Sequence, residues 1–125
     1  MTDRRAPITV LVRAPRGVIG RAIGLMGRRT IPVPIILEPC KAVHGVGIVR
    51  PLDVAFYKRL PGGHGVSILS VSQLAPFGLR ANRHADGAIE AGKGDLDYLR
   101  PAVGAEPVTV KEIHDRIRYQ AAKSS

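Results

Sequence analysis

PLDVAFYKRLPGGHGVSILSVS, residues 51–72, decides how the chain folds. Leu52, Val54 and Phe56 fall on one side of an extended backbone. Asp53, Ala55 and Tyr57 fall on the other, because side chains alternate with period two along a strand. RLPGGHG at 59–65 is a turn by composition, since its proline and glycines break any regular element. VSILSVS at 66–72 alternates again. Two alternating runs about a glycine-rich turn predict an antiparallel hairpin over 52–72.

Working outward, ITVLVR at 8–13 alternates in the same way and predicts a half-buried strand, ended by Pro15 and Gly17. RGVIGRAIGLMGRR at 16–29 changes period. Val18, Ile19, Ala22, Ile23 and Met26 have helical spacing. The spacing predicts a helix in the N-terminal half, although each interior glycine costs about 1 kcal/mol relative to Ala. IPVPIILE at 31–38 predicts a strand starting near Pro34, because proline cannot donate to a ladder, and Pro39 closes it. Residues 40–50 read as a loop or irregular strand, and 73–86 as a loop. DGAIEA at 86–91 reads as a short strand and EPVTV at 106–110 as another. GDLDYLR at 94–100 predicts one helical turn stopped by Pro101.

At the C-terminal end Thr109 and Glu112 match the S/T-x-x-E capping box. Val110, Ile113, Ile117 and Ala121 follow on one face. This predicts an added amphipathic helix to about residue 122, packed on the sheet or docked on a partner. The expected organisation is an N-terminal arm (1–7), a β-rich domain (8–110), and a C-terminal helix and tail (111–125). The expected class is mostly β with one N-terminal-half helix, one short helix and the C-terminal helix.

Composition narrows the function classes. A chain of 125 residues suits one domain. Aromatics are 4% and Trp is absent, so Val, Ile, Leu and Ala must build the core. The net charge of +9 attracts polyanions. The cations are scattered without a long like-charge block, which also suits a solvated surface. Cys40 is the single cysteine, so no intramolecular disulfide forms and nothing argues for an oxidising compartment. No apolar run reaches the roughly 18 residues of a membrane span, and the N-terminal apolar stretch is too short for a signal peptide. The expected location is the cytoplasm.

The run PCKAVHGVGIVRPLDVAFYK at 39–58 resembles the signature of a bacterial and archaeal family, domain-of-unknown-function family 192 (DUF 192). The matching residues are Pro39, Cys40, Val43, His44, Gly47, Pro51, Leu52, Asp53 and Val54. GLMGR at 24–28 is similar to the family's upstream helix, and AIEAGKGDLDYLRPAVGAEP at 88–107 to its closing strand, short helix and Gly-Asp ending. The resemblance spans about residues 8–110. Gly45, Val46 and Ile48 stand where the family has a Thr-like residue and then aromatic and Met residues. Val49-Arg50 replaces a basic-aromatic pair, and Gly104-Ala105-Glu106 replaces Gly-Asp-Arg. The resemblance implies a β-sandwich or jelly-roll-like sheet pair and no established activity.

Four constellations bear on chemistry. Cys40, His44 and Asp53 interrupt an apolar stretch, and together could supply a nucleophile, a base and a group that orients the imidazole. The same residues read equally as a buried small hydrophobe, a backbone-bonded His and a turn-capping Asp. With Arg50 they would line a ligand or partner cleft. Cys40, His44, His64 and His84 lack the paired spacing of a zinc site, and no metal or other cofactor is expected. The glycines at 17, 20, 24 and 27 match no phosphate-loop pattern. Arg21, Arg28, Arg29, Arg80 and Arg83 could form a nucleic-acid face, since phosphate contact needs only such charges. Stacking aromatics are scarce. The leading expectation is a non-enzymatic binding or accessory domain with an unknown small-molecule or protein partner. A hydrolase-like enzyme using Cys40 and His44, and a basic nucleic-acid binder, are the alternatives.

Overall fold

In the computed structural model, residues 8–13, 33–46, 48–63 and 65–113 are described. The chain is mostly β. Among the described residues eight strands run β1 (Ile8–Val12), β2 (Ile35–Leu37), β3 (Ala42–His44), β4 (Leu52–Arg59), β5 (Val66–Leu74), β6 (Leu79–Ala81), β7 (Gly87–Gly92) and β8 (Val108–Glu112). Six form one sheet in the order β1-β8-β5-β4-β7-β2, while β3 and β6 pair as a separate two-stranded ribbon.

The predicted hairpin is the centre of the sheet. β4 and β5 pair antiparallel from Leu52↔Leu74 to Arg59↔Val66, through a 3-10 turn at Pro61–Gly63. The ladder carries a bulge at Phe56/Tyr57, where Phe56 faces Ser70 and Tyr57 faces Ile68. A bulge adds one unpaired residue and increases the local twist. The six strands curl far enough for the two edges to meet. Arg13, just past β1, bridges Ile35 in parallel, its N–H donating to the Pro34 carbonyl at 2.8 Å. The Ile36 N–H donates back to the Arg13 carbonyl at 3.0 Å.

Alternation therefore sorts side chains into an inside and an outside. Val10, Val12, Ile36, Ala55, Tyr57, Ile68, Ile89 and Val108 fill the concave interior. Leu96, Leu99 and Ala102 join them from the connection between β7 and β8. Ile35, Leu37, Leu52, Val54, Phe56, Leu74 and Ala88 make a second cluster on the convex face, covered by Val43 of the ribbon and by Ile48. Burying Phe56 and Tyr57 contributes on the order of 2–3 kcal/mol each, so the two aromatics anchor one cluster apiece.

Several sequence expectations change. Residues 73–86 read as a loop but hold one strand of the ribbon, and 40–50, read as a loop or irregular strand, hold the other. Their strands are three residues long, too short to show a period. The turn at 94–100 does not stop before Pro101. A 3-10 helix runs Asp97–Ala102 with Pro101 inside it. Leu96, Leu99 and Ala102 recur every three residues, which suits the three-residue repeat of that helix and turns all three inward.

The capping-box reading of Thr109 and Glu112 is overturned. Both lie in β8, which pairs parallel with β1 at Thr9↔Thr109 and Val12↔Glu112. Buried Val108 and the Val110 that packs on the interior explain the outcome, because a strand offers these side chains the core and the backbone a full ladder. Ile113 continues the pairing, its N–H donating to the Val12 carbonyl at 2.8 Å. The remainder of the expected C-terminal helix, the N-terminal-half helix at 16–29 and the arm at 1–7 lie outside the described residues.

Candidate functional site

The structure separates the Cys-His-Asp constellation. Asp53 alternates with Ala55 and Tyr57 and so faces the concave interior. Its Oδ2 accepts a hydrogen bond from the Leu96 N–H at 3.0 Å, which ties β4 to the β7–β8 connection. Its Oδ1 is buried without a partner. Cys40 packs on the convex cluster, and its thiol donates to the Ala42 carbonyl at 3.3 Å. His44 is exposed on the ribbon, where its Nδ1 accepts from the Val46 N–H at 3.4 Å. Asp53 therefore lies on the far side of the sheet and does not orient His44. Arg50 is exposed just before β4.

Among the described residues, no group of three His, Cys, Asp or Glu side chains is placed to hold a metal ion. His84 is exposed and accepts at Nε2 from Arg83 Nε at 3.3 Å. Of the basic residues singled out, Arg80 and Arg83 are exposed in or next to β6. Arg21, Arg28, Arg29 and His64 lie outside the described residues.

What the structure brings together instead is the ribbon's outer face. β3 and β6 pair antiparallel at Ala42↔Ala81, Val43↔Arg80 and His44↔Leu79. Val43 turns in to the convex cluster, so Ala42, His44, Leu79 and Ala81 point out, and all four are exposed. At the tip, the Ala75–Gly78 turn closes with the Gly78 N–H donating to the Ala75 carbonyl at 2.8 Å. Pro76 supplies the fixed φ of the second position. Phe77 takes the third at φ 61°, the left-handed region that a type II turn demands and that glycine or asparagine normally fills. Phe77 is nevertheless 81% exposed, so no packing accounts for a bulky side chain there.

The turn is seated on β3 by main-chain bonds to Gly45. The Gly45 N–H donates to the Gly78 carbonyl at 2.8 Å, and the Phe77 N–H donates to the Gly45 carbonyl at 2.9 Å. A Cβ at Gly45 would fall on the Ala75 carbonyl oxygen, so glycine is required for the two segments to approach. The outcome is an exposed tip carrying Phe77, with Leu79 (62% exposed) and Val46 beside it and Val49 exposed in the segment that follows (Val46 and Val49 each 55%). The two segments that build it, 39–52 and 73–85, contain Lys41, Arg50, Arg80 and Arg83 and no Asp or Glu. Lys41 is spent on the fold, its ammonium donating to the Arg83 and Ala85 carbonyls.

Two further features escaped sequence reasoning. Glu90 sits in β7 between Ile35 of β2 and Val54 of β4, on the convex face. It is fully buried, neither carboxylate oxygen has a partner, and burial pushes its pKa from 4.5 to about 7. The signal was present in AIEA, an acid inside a run too apolar for a surface strand. The second feature is a polar cluster at one end of β4. The Tyr57 hydroxyl donates to Glu38 at 3.1 Å, and Arg59 Nε donates to the same Glu38 oxygen at 2.6 Å. Burial, reinforced by the Glu38 carboxylate, holds the Tyr57 hydroxyl well above the usual phenol range. The backbone N–H of Arg59 donates to Asp86 at 2.7 Å. Every group in this cluster is paired, which is a structural arrangement.

No helix among the described residues is long and apolar enough to cross a membrane. Compared with family models, curated proteins and solved structures, the chain matches none.

Proposed function

We propose that the protein is a non-enzymatic binding domain whose contact surface is the tip and outer face of the β3–β6 ribbon. The observation that carries this reading is Phe77, an 81% exposed phenylalanine held at φ 61°. A left-handed L-residue is disfavoured by about 1–2 kcal/mol. Strain of this kind with no packing in return points to a side chain retained for what it touches outside the molecule. Val46, Val49 and Leu79 add exposed apolar side chains in the same segments, which also carry Arg50, Arg80 and Arg83 and no acid. The separation of Asp53 from His44 weighs against the hydrolase-like alternative.

The reading is compatible with kinship to domain-of-unknown-function family 192. What supports it is the mostly β content and the curled six-stranded sheet. That kinship brings no activity of its own.

The direct test is Phe77→Gly, followed by urea unfolding. Relief of the left-handed backbone should raise stability by about 1 kcal/mol even after glycine's greater unfolded-state freedom is counted. A Phe77→Gly chain less stable than the parent would mean that Phe77 serves the fold, and would remove the basis of the proposal.

A further inference from the structure

The geometry points to an anionic phospholipid surface as the occupant of the ribbon tip, an inference that rests on the contact surface proposed above. Three observations favour lipid over other anionic partners. Of the four large apolar side chains exposed in the segments that build the tip, Val46, Val49 and Leu79 are aliphatic and only Phe77 is aromatic. Single-stranded nucleic acid would want several stacking rings along its path. Four such side chains are also few against the roughly 20 residues a side of a stable protein interface. Shallow insertion into the acyl boundary needs no such area, since each buried methylene adds to the affinity independently. Finally, the segments that build the tip carry Arg50 and the exposed Arg80, with Arg83 at the other end of the ribbon, and neither segment holds an acidic residue. Arg50 and Arg80 would sit at headgroup level once Phe77 and Leu79 enter the acyl region, where a negative surface attracts them.

The absence of tryptophan from the chain gives a clean reporter. Phe77→Trp places a single indole at the tip, and its emission is followed on adding phosphatidylglycerol vesicles, phosphatidylcholine vesicles, a leucine-bearing polyglutamate peptide or a single-stranded oligonucleotide. The expected result is a blue shift with phosphatidylglycerol vesicles, quenched by brominated acyl chains, and little change with phosphatidylcholine. In the same background, Leu79→Ser should weaken binding at least tenfold. Arg80→Gln and Arg50→Gln should each weaken it about fivefold at low salt. An unchanged spectrum with phosphatidylglycerol vesicles overturns the lipid assignment. If the peptide or the oligonucleotide shifts the emission instead, the contact surface stands with a different occupant. If none of the four probes shifts it, both the lipid assignment and the contact surface fall.

Discussion

Replacing Glu90 by glutamine should abolish a specific part of the protein's pH-dependent stability. Glu90 is enclosed by Ile35, Val54, Phe56 and Ala88 on the convex face, and no hydrogen bond reaches its oxygens. Burial disfavours the charged form, so its pKa in the folded chain is about 7 against an ordinary 4.5. The folded state therefore holds this proton more tightly than the unfolded state does. Below about pH 4.5 both states are protonated and Glu90 imposes no charge penalty. As pH rises from 4.5 towards 7 the unfolded chain ionises first, and stability falls. Each factor of ten in proton affinity is about 1.4 kcal/mol, so the loss approaches ~3 kcal/mol and levels off above pH 7. Urea unfolding of the parent and of Glu90→Gln at pH 5 and pH 8, followed by circular dichroism, isolates the effect. Other groups titrate alike in both chains, so the difference between the two chains reports Glu90. Glu90→Gln should gain on the parent by about 2–3 kcal/mol between pH 5 and pH 8. A gap between the two chains that does not move with pH would refute the reasoning.

Two other perturbations follow from close approaches in the backbone. Gly45→Ala forces a methyl onto the Ala75 carbonyl, and should cost about 1–3 kcal/mol of stability, by displacing the Phe77 turn; thermal unfolding reads the loss. Gly87→Ala drives a Cβ into the hydroxyl end of the Tyr57 ring and into the Leu37 carbonyl at the start of β7. It should destabilise by more than about 2 kcal/mol in the same thermal assay, with little recovery in the Gly87→Ala, Tyr57→Phe double variant, since the ring carbon that bore the hydroxyl still meets the new Cβ.

The sequence made the central hairpin legible because Leu52–Tyr57 alternate without interruption and RLPGGHG admits only a turn. It did not reveal the bulge. Val66 and Ile68 face inward, and the alternation of VSILSVS would send Val71 outward. The extra residue at the bulge turns it back inward to oppose Ala55. β6 was missed, and β3 stayed open between loop and irregular strand, because three-residue strands carry no period and their pairing is long-range. The C-terminal helix was misread at its start because the capping box is a local signal. Thr109 and Glu112 instead pair with β1, which lies about a hundred residues earlier in the chain. For the site, His44 and Arg50 were singled out on residue type and do lie on or beside the exposed ribbon. Asp53 was taken as their neighbour because it is near in sequence, but one position of alternation sends it through the sheet. Phe77 carried no visible signal. In APFG, the glycine stands one place after the position where the turn requires it, and only the backbone shows this.

The way the ribbon tip is held has a consequence for how it can change. Its attachment to Gly45 uses only peptide groups, so the side chains at 46, 77 and 79 take no part in it, while the backbone at 77 must stay left-handed. New side chains there would change the outer surface while the main-chain attachment beneath stays intact. Surface chemistry and foldability are thereby uncoupled in this corner of the protein.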